Sequence, residues 1–115
     1  MATASQKYVT TAVGEPRYTI TAQASSNFTA ASERYYRFDS AVGTITITLP
    51  SMGAETYSHS IFFNFTTSSS PAVTFAGNGK SIQYYADYAL EANTKYELNA
   101  LYNGSFWIIS YAIIG

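Results

Sequence analysis

The chain has no cysteine, which removes a disulfide framework, a thiolate zinc site and a cysteine nucleophile at once. Charge is scarce as well: 11% of the 115 residues are charged, about half the roughly 25% usual in soluble domains, and the net charge is -1. No block of like charge occurs, so the electrostatic footprint of a nucleic-acid or anionic-membrane partner is missing, and neither partner is expected. The longest apolar run, over 106–114, is nine residues interrupted by Ser110. A membrane helix needs roughly 20. Residues 1–7 lack a basic patch followed by an apolar stretch, so no signal peptide is expected. A soluble protein follows, one that works where it is made or leaves the cell by a route without a leader, such as a virus particle released by lysis.

Histidine occurs once, as His59, and the seven carboxylates show no ligand spacing such as an EF-hand loop. No catalytic residue, metal or cofactor is therefore expected. A serine–histidine–acid triad would have to use His59, which sits in Tyr57-Ser58-His59-Ser60 without a nucleophile turn. Gly79-Lys80-Ser81 matches the end of a phosphate loop, but Thr74 stands where the first glycine is required and a strand pattern follows.

What the chain does have is rings and hydroxyls. Aromatic residues make up 17%, far too many for intrinsic disorder. Leucine occurs four times against nine isoleucines and 28 serines and threonines, a balance that favours pleated strands over helices. Thr44-Ile45-Thr46-Ile47-Thr48-Leu49 alternates strictly until Pro50, placing Ile45, Ile47 and Leu49 on one face. Ile61, Phe63 and Phe65 share a face in the next strand, and Val73 and Phe75 in another, before Gly77-Asn78-Gly79 turns the chain. Residues 81–85 and 34–39 also read as extended. Stretches 8–13 and 17–22 flank Gly14-Glu15-Pro16 as a hairpin, and the Ala- and Ser-rich stretch 23–32 reads as a linker or crossing loop.

Asn103-Gly104 lies between two alternating runs and fits a two-residue type I′ turn. That loop pairs Tyr102 with Ser105, Ala100 with Trp107, Leu98 with Ile109 and Tyr96 with Tyr111, a face apolar enough to be core. The other face carries Leu101 beside Phe106, then Asn99 beside Ile108, with Ile114 further along, so a partner is expected to cover it, and Leu101, Phe106, Ile108 and Ile114 are the candidate subunit interface. Eight or nine short strands with regular turns predict one all-β domain, an antiparallel β-sandwich or jelly-roll-like barrel with a C-terminal β-hairpin. Residues 1–33 would form an N-terminal hairpin and linker or inter-subunit arm, and 34–115 the body.

Tyr84-Tyr85-Ala86-Asp87-Tyr88, close to Asn78, gathers amphipathic rings, a carboxylate and an amide at a turn. That chemistry suits a sugar face, so Asn78, Tyr84, Tyr85, Asp87 and Tyr88 are the candidate ligand-binding residues, weighed against plain sheet packing. Alternation puts Tyr84 and Tyr85 on opposite faces, so at most one of them belongs to the site.

Several segments carry a resemblance: Thr46-Ile47-Thr48-Leu49-Pro50 leading to Ile61-Phe62-Phe63-Asn64-Phe65, then Leu90-Glu91-Ala92-Asn93-Thr94-Lys95-Tyr96-Glu97-Leu98, then Asn103-Gly104-Ser105-Phe106-Trp107. Over roughly 34–115 the chain resembles small C-terminal β domains of tail-, fibre- or appendage-type virion proteins of phages and prophages from Gram-positive hosts. The resemblance implies a homotrimer located in the virion, in contact with other virion proteins, acting in host attachment or particle assembly; for attachment, the tyrosine-rich turn suits a host cell-surface saccharide. It transfers no functional residue, because the shared positions read as fold determinants. A bacterial carbohydrate-binding module is the alternative from a second class, and a small hydrolase the third.

Overall fold

Alternation of apolar with hydroxyl or polar side chains leaves each segment one face to bury, and that is the pattern the strands follow. The computed structural model describes residues 17–85 and 88–114. Among them are eight strands and no helix: β1 (Thr19–Gln23), β2 (Phe28–Thr29), β3 (Arg34–Phe38), β4 (Val42–Thr48), β5 (His59–Ala76), β6 (Ile82–Tyr84), β7 (Lys95–Tyr102) and β8 (Trp107–Ile113). The all-β expectation holds. The pairing is mixed rather than antiparallel, because a period of two is the same in either direction and carries no information on strand polarity.

Three bent segments stack in parallel. β1 lies beside β3 with Thr19 opposite Arg34, and β3 beside the first half of β5 with Arg34 opposite Ile61. After each bend the same order recurs: Phe28 of β2 faces Ile47 of β4, which faces Phe75 in the second half of β5. The ladder that begins β1-β3-β5 continues through β7, β8 and β6. β7 is antiparallel to both β5 and β8, and β6 closes the edge parallel to β8. In-register parallel stacking places similar side chains over one another, which produces ring ladders: Tyr36 stacks on Phe63 at 5.7 Å and 12°, and Phe38 meets Phe65 at 5.6 Å.

β5 is one strand of 18 residues that turns back on itself. Phe63 and Phe75 are twelve residues apart, about 40 Å along a straight strand, yet their rings lie 5.5 Å apart. The bend is where Val42 pairs with Thr67 but Thr44 with Ala72, so that residues 68–71 stand against Gly43 alone and three of them are extra on the β5 side. Thr67 is buried and pinned there. Its hydroxyl donates to the Glu91 carbonyl at 2.6 Å and accepts the Thr94 amide at 2.9 Å. Asn93, at a φ of 52°, gives its amide to the Ser68 carbonyl, and the Tyr96 hydroxyl accepts the Glu91 amide at 2.7 Å. The segment 91–96 is thus a clamp on the β5 bend.

The core contains the residues alternation assigned to it. Ile45, Ile47, Leu49, Ile61, Phe63, Phe65, Val73, Phe75, Tyr96, Leu98, Ala100, Tyr102, Trp107 and Ile109 are all buried. Two polar atoms went in with them: among the described residues, the Tyr102 hydroxyl and Trp107 Nε1 have no hydrogen-bond partner.

Three local expectations change. The terminal hairpin pairs Tyr102 with Trp107, Ala100 with Ile109 and Leu98 with Tyr111, two residues out of the expected register. Its loop is closed by Asn103 Oδ1 accepting the amides of Ser105 and Phe106, each at 3.0 Å, with only Gly104 at positive φ. The side chain of Asn103 outcompetes the two-residue turn, and an even slip keeps every residue on its face. The type I′ geometry occurs instead at Asn78-Gly79, both at positive φ, where Lys80 N–H reaches the Gly77 carbonyl at 3.2 Å. The stretch 23–32, expected as a linker, contains β2 and the buried Ala30, and its strands join the same ladders as the body. Small side chains allowed it close to the core, where composition alone read as loop. The expected hairpin partner over 8–13 lies outside the described residues.

Candidate functional site

The face of the ladder opposite the core is built by the other half of the alternation. Across β5, β7 and β8 it presents three rows: Ser60–Leu101–Ile108, Phe62–Asn99–Ser110 and Asn64–Glu97–Ala112. Between the second and third rows lies a depression of about 300 Å³, lined by Phe62, Glu97, Asn99, Ser110, Ala112 and Ile114 among others. That volume is at the lower end of the ~300–1,000 Å³ of small-molecule sites.

Neighbouring strands fix the ring and the carboxylate of this depression. Phe62 is held edge-on by Tyr18 at 5.3 Å and stacked by Tyr35 at 5.9 Å. The Tyr35 hydroxyl donates to Glu97 Oε1 at 2.7 Å. Burial first, then the hydrogen bond and charge of Glu97, push the Tyr35 hydroxyl up to about 12, so it remains a donor at any physiological pH. Asn99 is oriented by Nδ2 donating to the Ile61 carbonyl at 3.3 Å. Among the described residues, Glu97 Oε2, Asn99 Oδ1 and Ser110 Oγ make no further hydrogen bond.

The residues expected to bind a ligand are placed differently. Asn78 forms the turn before β6 and donates Nδ2 to the Leu49 carbonyl at 3.1 Å, a structural role. Tyr84 and Tyr88 come together at 4.5 Å, but Tyr88 also packs on Tyr111 at 5.7 Å and donates its hydroxyl to the Val73 carbonyl at 3.1 Å. Burial raises the Tyr88 hydroxyl well above the ordinary tyrosine value, consistent with a packed ring. Tyr85 is the exposed member, at 69%. Asp87 lies outside the described residues.

The chain matches no protein-family model, and no curated protein matches it.

The four candidate interface residues do not form one patch. Leu101 and Ile108 face each other on neighbouring strands at the hairpin end, both half-buried, with Phe106 half-buried in the loop. Ile114, 47% exposed, lies at the far end beside Lys95 and belongs to the depression.

His59 is engaged rather than free. Nδ1 lies 3.0 Å from Glu33 Oε1 and Nε2 lies 3.1 Å from Glu55 Oε1, contacts that only the doubly protonated ring satisfies at both ends. The Glu33 hydrogen bond above all, with Glu55 adding, raises the His59 pKa against the opposing effect of burial. Glu33 Oε2 also accepts the Ser60 amide at 3.1 Å, so the cluster ties the turn before β3 and the loop before β5 to the start of β5. No group of three or more histidines or carboxylates able to hold a metal occurs among the described residues, and no helix there is long and apolar enough to cross a membrane.

Sequence reasoning placed Asn99 on the outer face but missed Phe62, Glu97, Ser110 and Ala112 as a group. Their outward positions follow from alternation in each strand. Their convergence needs the β5–β7–β8 register, which the hairpin slip concealed.

Proposed function

We propose that this protein is a non-enzymatic structural module of a phage virion, located on a tail fibre, baseplate or capsid appendage, that serves host attachment or particle assembly through the outer face of its main ladder. The observation that carries the reading is that face. It sets a braced ring, amides and a carboxylate over a rigid pleated surface, while the one histidine is occupied by two ion pairs. Thr94 and Tyr96 clamp the β5 bend, in keeping with the reading of that segment as a fold determinant and not a site. We read the two halves of β5, with their ring contact across the core, as the two layers of a sandwich closed by one bent strand.

The module works as a homotrimer whose protomers meet at the hairpin end, through Leu101, Phe106 and Ile108. Light scattering during size-exclusion chromatography gives three times the protomer mass on this reading; 12.6 kDa at micromolar concentration contradicts the trimer. Fluorescently labelled protein should decorate Gram-positive host cells or purified virions of its own phage and release no reducing sugar from walls. The depression also favours the second reading, a bacterial carbohydrate-binding module, which decoration of isolated glycans without affinity for virion proteins would select.

A further inference from the structure

We propose that the depression between Phe62 and Ala112 is a saccharide site that takes one uncharged or amino-bearing sugar ring. This inference rests on the attachment reading above and names its ligand and its place. Three features carry it. The apolar part is a ring: Phe62, fixed between Tyr18 and Tyr35, offers the flat surface on which the C–H face of a sugar packs, with Ala112 and Ile114 completing the apolar side. The polar part is unused capacity. Glu97 and Asn99 are each oriented by one hydrogen bond to the protein, and among the described residues Glu97 Oε2, Asn99 Oδ1 and Ser110 Oγ remain able to accept, with Ser110 also able to donate. A sugar's adjacent hydroxyls both donate and accept, and a carboxylate paired with a hydroxyl serves two of them at once.

The third feature is charge. Among the described residues Glu97 is the only charged one of the lining, with Arg37 two strands away in the same row, so an acidic group placed directly against Glu97 would meet a second anion while a neutral or amino sugar would not. At the turn around Tyr84 and Tyr85, proposed from sequence, the Asn78 amide nitrogen and the Tyr88 hydroxyl donate to backbone carbonyls, and Asp87 lies outside the described residues. A shallow site of about 300 Å³ on a pleated face gives weak single-site affinity, and repeated copies on a particle raise it by avidity.

The test uses the full chain, labelled with 15N, titrated with N-acetylglucosamine oligomers, with galactose- and glucose-containing oligosaccharides, and with a uronic-acid oligomer as the anionic comparison. Millimolar neutral or amino sugar should shift the amides of Asn99, Ser110 and Ala112, and the uronic-acid oligomer should not. Ala112→Trp, at an exposed outward position, fills the depression and should weaken binding at least tenfold, and Glu97→Gln several-fold. Thr74→Trp, exposed on the second half of β5, should leave binding unchanged. Sugar binding that survives Ala112→Trp, with shifts elsewhere, overturns the site and leaves the attachment reading intact. No shift with any sugar, while labelled protein still decorates host cells, overturns the saccharide as ligand. Absence of both sugar binding and decoration overturns the site and the attachment role together. Ser110→Ala, which removes only a hydroxyl, keeps the test decisive should the tryptophan variant fail to fold.

Discussion

Replacing Thr67 by valine isolates the clamp that bends β5. The two side chains have the same shape, so packing is nearly preserved while the hydroxyl is lost. That hydroxyl donates to the Glu91 carbonyl at 2.6 Å and accepts the Thr94 amide at 2.9 Å. A buried group left unsatisfied costs about 1–3 kcal/mol. The carbonyl of Glu91 belongs to an exposed residue and can turn to water, whereas the Thr94 amide is partly buried, so a total loss of about 2–3 kcal/mol is expected. Thr67→Ser keeps both bonds and removes one methyl group, about 0.8 kcal/mol. Urea unfolding monitored through Trp107 should therefore order the three proteins as wild type, then serine, then valine, with unchanged denaturant slope. A valine variant as stable as the serine variant would refute the clamp, since shape and not hydrogen bonding would then hold the bend.

Three further outcomes follow from the same packing. His59 has a pKa raised above its ordinary 6.5, so its contribution to stability is complete below that value and disappears as pH rises through the folded-state value; Glu55, held below 4.5 by His59, contributes above its unfolded value and loses this as pH falls through its lowered one. Melting temperature should thus fall as pH rises above 6.5 in the wild type and stay flatter in His59→Gln. Gly77→Ala should cost about 1–3 kcal/mol in chemical denaturation, because its Cβ would sit 1.8 Å from the Lys80 carbonyl oxygen, whereas Gly53→Ala, with nothing within 4 Å, should be near neutral. Tyr102→Phe removes a buried hydroxyl that has no partner among the described residues, so thermal unfolding should show equal or higher stability.

Much of the core was legible in the sequence because alternation assigns faces without knowledge of partners: Ile45, Ile47 and Leu49, or Ile61, Phe63 and Phe65, are buried as their spacing requires. Partner choice was not. Ser68-Ser69-Ser70-Pro71 reads as a loop between two strands, yet it is the outward bulge of a single strand, held by Thr67 from within and by the 91–96 clamp from a distance. Short strands such as Phe28–Thr29 fall below any periodic signal and exist because β4 offers an edge. The candidate site was half legible: Asn99 faced outward on inspection, but Tyr35 and Glu97 are 62 residues apart and meet only because β5 pairs parallel with β3 on one side and antiparallel with β7 on the other. Tyr84, Tyr85 and Tyr88 drew attention by density, which does not tell the packed ring of Tyr88 from the exposed ring of Tyr85.

On the proposed function, the outer face of the main ladder is the surface that docks. Because the chain contains no cysteine, single thiols report directly on it. Ala112→Cys on that face and Thr74→Cys on the second half of β5 are both exposed positions. Each variant, free and then bound to host cell walls or to virions of its phage, is challenged with a soluble maleimide. The account predicts that binding protects the thiol at 112 and leaves the thiol at 74 fully reactive; protection at 74 with free reaction at 112 would contradict it.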